Sequence, residues 1–206
     1  MNTQQIDRLV RAALDCCGEE EGGSAPKEGF AGVFAADQLP PTLFHPGERR
    51  VCIVNSEPQN KRGQHWFVLG IDARKAINHY GFVFDSLGAE SIQKRGFESA
   101  YFEKFPSLKY VLKNRFATQD QSVDSCALHA IYFLLLLTLK GMKFENAVNK
   151  FDLEWKLNND CQLLNSFNEF MRCKSFLKLI EQLKTDLADT YHRCASLLPR
   201  SSFQKL

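Results

Sequence analysis

The chain has 206 residues, a formal net charge of +2 and a pI of about 8.1. Apolar residues make up 44% of it and charged residues 24%, which excludes a wholly disordered chain. The small net charge neither requires nor excludes a polyanionic partner. A chain of this length predicts a single domain over 1–206.

Cysteine usage and the apolar segments indicate where such a protein works. The seven cysteines are odd in number and show no C-x-x-C spacing, and the N-terminus lacks the apolar run of a secretory signal. We therefore expect a reducing intracellular compartment with thiols rather than disulfides. The most apolar segment, 126–139, is too short to span a bilayer and predicts a buried core helix, so we expect no membrane partner.

Hydrophobic periodicity predicts an α+β fold with a central, mostly antiparallel β-sheet covered by helices. Strands are predicted at 51–55, 65–71, 79–85 and 109–116. Helices are predicted at about 3–15, 90–105, 126–139, 143–150 and 161–188. Loops are predicted at 17–29, 57–63, 72–78 and 117–125, with a mixed segment at 29–41 and a polar, basic tail at 195–206.

The second and third strands predict a hairpin that sets His65 against Asp85. If the strands pair about the midpoint of the segment 72–78, these two residues are directly opposed and share a face. Opposed Cβ atoms are about 5 Å apart, so the carboxylate can hold one imidazole nitrogen and leave the other for catalysis. This arrangement fixes the tautomer of a general base and stabilises its imidazolium form.

Cys126 is the candidate nucleophile, because it begins the apolar helix behind a polar loop. Asp124 and Ser125 are suitable N-cap residues for that helix. The partial positive charge of a helix N-terminus favours a thiolate, and an adjacent imidazolium favours it further. The backbone N–H of Cys126 and the side chain of an upstream glutamine, Gln119 or Gln121, could stabilise an oxyanion.

Several residues near these motifs allow a second interpretation. His129 lies on roughly the same helix face as Cys126 and is a rival base, although a packed histidine with one hydrogen bond is expected in so apolar a helix. Trp66 is either a shield for the His65 ring or an aromatic wall of the sheet. The cysteines show no zinc-finger spacing, and no metal site is predicted.

The order His, Asp, Cys with these local motifs resembles the adenovirus endopeptidase (adenain) family of cysteine proteases. The resemblance is carried by Ile53-Val54-Asn55, by Gly63-Gln64-His65-Trp66, by Phe84-Asp85-Ser86-Leu87-Gly88, and by the glutamine-bearing loop 118–130. An FxGxF-like segment at 30–34 has a counterpart too. The resemblance covers essentially the whole chain, with its motifs within 29–139 and a C-terminal helical part at 143–206.

The resemblance implies a catalytic triad of His65, Asp85 and Cys126 with a glutamine in the oxyanion hole. The family's glutamine lies seven residues before the cysteine, which points to Gln119, with Gln121 as the rival. In the related ubiquitin-like-modifier proteases the glutamine lies one residue later, where this chain has Asp120. Adenovirus enzymes usually carry Glu where Asp85 stands, whereas ubiquitin-like-modifier proteases carry Asp.

The chain departs from the adenovirus pattern at two places. Ala127 follows the nucleophile where the family usually has Gly. The family also joins an activating viral peptide through a disulfide, but residues 86–125 contain no cysteine, so disulfide-linked activation is not expected.

The resemblance further implies no cofactor for the chemistry, activation by DNA and a peptide, a monomeric state, and a location in the host nucleus and the virion. Candidate DNA-binding residues are Arg49–Arg50, Lys61–Arg62, Lys113–Arg115 and Arg172–Lys174.

The function implied is a viral endopeptidase that cleaves virion precursor proteins after small or glycine-containing motifs. Two alternatives stay open. One is a deubiquitinase or ubiquitin-like-modifier isopeptidase on the same scaffold. The other is a virion DNA-binding protein without catalytic activity.

Overall fold

The structure, a computed structural model, describes residues 1–20, 29–41, 43–61, 65–88, 90–91, 96–119 and 125–154. The predicted α+β class is confirmed. The described helices are α1 (Thr3–Glu20), α2 (Phe97–Phe102), α3 (Cys126–Thr138) and α4 (Phe144–Glu154). The strands are β1 (Phe30–Phe34), β2 (Arg49–Asn55), β3 (Trp66–Asp72), β4 (Tyr80–Phe84) and β5 (Tyr110–Lys113).

The five strands form one sheet in the order β1-β2-β3-β4-β5. The central ladders, β2 with β3 and β3 with β4, are antiparallel. The outer ladders, β1 with β2 and β4 with β5, are parallel. The sheet is therefore more mixed than the predicted, mostly antiparallel one, with the antiparallel hairpin at its centre.

The register of that hairpin differs from the predicted one by two residues. Val68 pairs with Phe84, and the last pair at the turn is Asp72 with Tyr80. The prediction ended β3 one residue too early. Asp72 extends the strand because its carboxylate accepts hydrogen bonds from Arg74, including one of 2.6 Å, and from the Tyr80 hydroxyl at 3.1 Å. An even shift leaves every side chain on its predicted face.

Helix α3 is apolar all round because neighbours cover all of its sides. Its residues from Cys126 to Leu137 are buried, and the helix packs on β2, β3, α1 and α4. Phe133 stacks on Phe84 of β4 with ring centroids 3.9 Å apart. This packing fixes the start of α3 against the end of the hairpin, where the candidate residues lie.

A second apolar cluster covers the other face of the sheet and includes Phe67, Val83 and Tyr101 of α2. Because both faces of the sheet are buried, the sequence of β3 is a nearly continuous apolar run. No helix among the described residues is long and apolar enough to cross a membrane.

The bounds of several elements differ from the predictions. Helix α1 continues beyond residue 15 to Glu20, with the predicted face of Ile6, Leu9, Val10, Ala13 and Leu14 buried. The helix predicted at 90–105 is described as α2 only over Phe97–Phe102, and β5 is shorter than predicted. The predicted helix at 161–188 and the tail at 195–206 lie outside the described residues.

Candidate active site

His65 lies just before β3 and is buried, with 7% of its surface exposed. Its Nε2 atom is 2.7 Å from Oδ1 of Asp85. The hydrogen-bonded part of the ladder ends at Val68 and Phe84, so this contact forms beyond it, between diagonal neighbours. An imidazole and a carboxylate are long enough to bridge that diagonal. The structure thus brings the two predicted residues together through a register different from the predicted one.

Asp85 has no exposed surface and is held on several sides. Its Oδ1 accepts a second hydrogen bond from the backbone N–H of Leu87, at 2.8 Å. Its own backbone N–H donates to Oδ1 of Asn114 at 2.8 Å, and its carbonyl accepts from Nδ2 of Asn114 at 2.7 Å. The carboxylate is therefore fixed in place before any substrate arrives.

Asn114 is a residue of the site that the sequence patterns did not indicate. It directly follows the last paired residue of β5, Lys113, which pairs with Val83. The side-chain amide of Asn114 mimics a peptide group and continues the β4–β5 pairing as far as Asp85. The sequence feature that could have indicated this role is the position of an asparagine within a predicted strand of otherwise apolar and basic residues.

His65 also makes a side-chain hydrogen bond with Cys126. Burial disfavours the charged ring, but hydrogen bonds to Asp85 and Cys126 and the negative charge of both partners outweigh burial and raise the pKa of His65 to about 9. At neutral pH the ring of His65 is therefore protonated, beside the side chain of Cys126.

Cys126 is the first residue of α3, as predicted, and 3% of its surface is exposed. Ser125 occupies the N-cap position but makes no side-chain cap hydrogen bond, which corrects its predicted capping role. Asp124 lies outside the described residues. The first backbone N–H groups of a helix point along its axis without intrahelical partners, so Cys126 lies where an anionic oxygen is favoured.

Cys52 provides a contrast within the same protein. Both Cys52 and Cys126 are thiols rather than disulfide sulfurs. Cys52 is fully buried in β2, its S–H donates to the carbonyl of Leu69 at 3.4 Å, and burial raises its pKa far above the usual range for a thiol. Cys52 is a packed residue, whereas Cys126 has an acid–base partner.

Gln119 is buried and bonded to Ser86, the residue that follows Asp85. The Ser86 hydroxyl donates to Oε1 of Gln119 at 2.6 Å. The Ser86 carbonyl accepts from the backbone N–H of Gln119 at 3.0 Å and of Thr118 at 2.7 Å. Because Oε1 is bonded to Ser86, the amide nitrogen Nε2 of Gln119, which is the donor, is the end of the amide that Ser86 does not hold. The rival Gln121 lies outside the described residues.

His129 is fully buried, and both of its ring nitrogens lie near acceptors. Nδ1 is 3.1 Å from the carbonyl of Ser125, and Nε2 is 3.1 Å from the carbonyl of Thr118. A general base needs a ring nitrogen directed at the group that it deprotonates. His129 instead ties α3 to the segment that carries Gln119.

Gly88 explains the last position of the F-D-x-x-G motif. It has a φ of +83°, and a Cβ there would lie 2.9 Å from the backbone nitrogen of Ala117. Only glycine lets the turn after Asp85 approach the segment before Gln119 so closely. Trp66 is buried in the core cluster on the α3 side of the sheet, which favours the interpretation as an aromatic wall.

The predicted basic pairs differ in their surroundings. Arg49 is partly buried and donates to the carbonyl of Met142 at 2.6 Å and to that of Leu137. Burial lowers the pKa of Arg49 to about 10. Arg50 donates to Glu48 at 2.9 Å. Arg115 is exposed. The described residues contain no group of three or more His, Cys, Asp or Glu side chains that could hold a metal.

No protein-family model matches this sequence, and no curated protein matches it. Among solved structures, the chain is similar to a de-sumoylating protease, with 16% identity and a TM-score of 0.42 over 96% of this chain and 83% of that one. It is also similar to the ASFV pS273R protease, with 14% identity and a TM-score of 0.33 over 56% of this chain and 41% of that one. The chain therefore matches less than half the length of the second protease. At such identities, what the site can do follows from its own side chains.

Proposed function

We propose that this protein is a cysteine endopeptidase with Cys126 as nucleophile, His65 as general base and acid, and Asp85 as the residue that orients His65. The observation that carries the proposal is the chain of contacts from Asp85 through His65 to Cys126. A carboxylate, an imidazole and a thiol, which are the three groups that such a mechanism needs, meet at the start of one helix. A purely structural histidine would not need both a buried carboxylate and a thiol.

The reaction follows from these positions. The Cys126 thiolate attacks the carbonyl carbon of the scissile peptide, the C–S bond forms, and the carbonyl electron pair moves onto oxygen. The backbone N–H of Cys126 and the Nε2 amide of Gln119 are the proposed donors to that oxyanion. The His65 imidazolium protonates the leaving amine as the C–N bond breaks, which leaves a thioester.

Hydrolysis of the thioester reverses the roles. Neutral His65 takes a proton from water, and the resulting hydroxide adds to the thioester carbonyl. Collapse of the second tetrahedral intermediate breaks the C–S bond and restores the thiolate–imidazolium pair. Asp85 stays ionised throughout and stabilises the imidazolium.

The proposed substrates are precursor proteins of a virus, cleaved on the carboxyl side of a small residue such as Gly. The resemblance to adenovirus endopeptidases supports this choice, through the motifs around His65, Asp85 and Cys126. Ala127, directly after the proposed nucleophile, is buried in the core cluster on the α3 side of the sheet. The proposed setting is the host nucleus and the virion, with the enzyme as a monomer.

Turnover of a Gly-Gly peptide by the wild type and by Cys126→Ala tests the proposal. Wild-type turnover that Cys126→Ala abolishes is the expected result. Wild-type activity in Cys126→Ala would contradict the mechanism.

A second candidate is an isopeptidase that releases ubiquitin or a ubiquitin-like modifier. Asp85 favours it, because the ubiquitin-like-modifier proteases carry Asp where adenovirus enzymes carry Glu. Comparison of kcat/KM on Gly-Gly peptides with kcat/KM on intact modifier conjugates separates the two. A large preference for intact conjugates would favour the isopeptidase.

DNA is proposed as an activator, and a virion DNA-binding protein without catalysis is the remaining alternative. Basic side chains that bind phosphates release counterions, so activation by DNA should decline steeply with salt. Titration of DNA-stimulated turnover against salt concentration tests this. A response that does not depend on DNA would remove DNA from the proposal, and absence of all turnover would favour the non-catalytic alternative. An activating peptide could not form a disulfide with residues 86–125, because they contain no cysteine. Its binding to that part of the chain would have to be non-covalent.

A further inference from the structure

Two neighbouring residues on the turn after β4 each hold a different part of the site. The Asp85 side chain holds His65 at 2.7 Å, and the Ser86 hydroxyl holds Oε1 of Gln119 at 2.6 Å. We propose that Ser86 is a positioning residue of the oxyanion hole, which fixes the Gln119 amide with its donor end towards the reacting carbonyl. This inference rests on the proposed cysteine-protease function.

The orientation of a glutamine amide requires such a partner. The two ends of the amide are similar in size, and its terminal torsion has a broad, roughly two-fold preference. If the amide turned over, Oε1 would face the developing oxyanion and repel it, and the hole would lose a donor. A hydroxyl that donates to Oε1 favours the productive orientation.

Ser86 also fixes the backbone that carries the amide. Its carbonyl accepts hydrogen bonds from the N–H groups of both Thr118 and Gln119. Ser86 and Gln119 are both largely buried, at 1% and 9% exposed, so water competes little for these bonds.

A second contact ties the same segment to the nucleophile. Nε2 of His129, one turn after Cys126 on α3, lies 3.1 Å from the carbonyl of Thr118. The carbonyl of Ser125 near Nδ1 already accepts the helical N–H of His129, so Nε2–H is the assigned donor to Thr118. Gln119 is thus held from the turn by Ser86 and, through Thr118, from the helix by His129.

Two probes of Cys126 separate the oxyanion hole from the acid–base pair. A Gly-Gly peptide aldehyde adds the thiol across its C=O bond. The C–S bond forms, the π electron pair of the carbonyl moves onto its oxygen, and this oxygen occupies the hole and takes the thiol proton through His65. Iodoacetamide reacts by displacement of iodide at carbon, with no oxyanion at the reacting carbon. Affinity for the aldehyde therefore reports on Gln119, and the alkylation rate reports on the pair of Cys126 and His65.

Ser86→Ala is expected to lower kcat and aldehyde affinity by about tenfold, less than the 10²–10³ expected for loss of the donor itself. The alkylation rate of Cys126 and its pH profile should stay at the wild-type value. In the Gln119→Ala background, Ser86→Ala should have no further effect, because the two residues act through one group. Ser99→Ala, which changes an exposed serine of α2, is the matched control.

Wild-type aldehyde affinity in Ser86→Ala would overturn the proposal. So would a double variant in which the losses of aldehyde affinity from Ser86→Ala and Gln119→Ala multiply. An equal loss in alkylation would also overturn it, since Ser86 would then act through Asp85 and His65. Failure of the proposed cysteine-protease function would give a different result, namely turnover of the Gly-Gly peptide that persists in Cys126→Ala.

Gln119→Glu gives a second test that does not depend on the fold tolerating Ser86→Ala. The glutamate keeps an oxygen for the Ser86 hydroxyl and places a second oxygen where the amide donor was. Aldehyde affinity should therefore fall below that of Gln119→Ala. Wild-type affinity in Gln119→Glu would show that no donor from this side chain faces the oxyanion, and the role proposed for Ser86 would then be overturned.

Discussion

Nε2 of His65 lies 2.7 Å from Oδ1 of Asp85, although the hydrogen-bonded ladder between their strands ends before reaching either residue. The contact depends on groups outside the ladder, chiefly Leu87 and Asn114, that hold Asp85 still. Several measurable properties depend on this support.

Replacement of the carboxylate should change the pH profile as well as the rate. In Asp85→Asn, the imidazolium loses its anionic partner, so the pKa of His65 should fall and kcat/KM at neutral pH should drop by about 10²-fold or more. Profiles of kcat/KM against pH measure both effects. Asp37→Asn, at an exposed carboxylate, is the control. An unchanged alkaline limb in Asp85→Asn would contradict the assigned role.

Turnover should decline on the alkaline side. The pKa of His65 is raised to about 9, so the imidazolium that protonates the leaving amine persists at neutral pH and is lost as pH rises through about 9. A profile of wild-type kcat/KM against pH measures this limb. A limb near the ordinary histidine pKa of about 6.5 would contradict the coupling.

Asn114→Ala should lower the free energy of unfolding by about 3 kcal/mol, because it removes the partner of the buried backbone N–H and carbonyl of Asp85. Denaturation in urea measures the loss, and Asn60→Ala at an exposed position is the control. Turnover should fall as well, since Asp85 loses its clamp. A loss within 0.5 kcal/mol, typical of surface substitutions, would show that the clamp contributes little.

Arg49→Ala should affect stability rather than any response to DNA. Its guanidinium donates to the carbonyls of Leu137 and Met142, so fewer of its N–H groups are left for phosphate. Unfolding in urea should therefore require less denaturant in this variant. The exposed Arg115 offers the comparison, since Arg115→Ala should reduce the salt dependence of DNA stimulation with little change in stability. A reversed pattern would contradict both assignments.

The sequence predicted most elements of the fold because apolar patterns report burial directly. Helix α3 and the strands around His65 and Asp85 carried strong patterns, and their positions agree within a few residues. The register did not follow from the pattern, because it depends on where β3 ends. Side-chain bonds of Asp72 with Arg74 and Tyr80 decide that end, and periodicity does not encode them.

The grouping of His65, Asp85 and Cys126 could be proposed from residue types and order alone. The supporting residues could not, because Ser86, Asn114 and His129 are common residue types whose roles arise only from three-dimensional contacts. Ser86 was visible within the F-D-x-x-G motif, but no spacing linked it to Gln119. The choice between Gln119 and Gln121 likewise came from resemblance rather than from the residues themselves.

The adjacency of Asp85 and Ser86 has a consequence for which sequence changes this protein could tolerate. A single inserted or deleted residue in the turn would displace the partner of His65 and the partner of Gln119 together, so proton transfer and oxyanion binding would fail in one step. Loop-length variation is therefore excluded at this turn, even though turns usually tolerate it. Substitutions intended to change only proton transfer or only oxyanion binding must therefore be made away from this turn, in α3 or in the segment before Gln119.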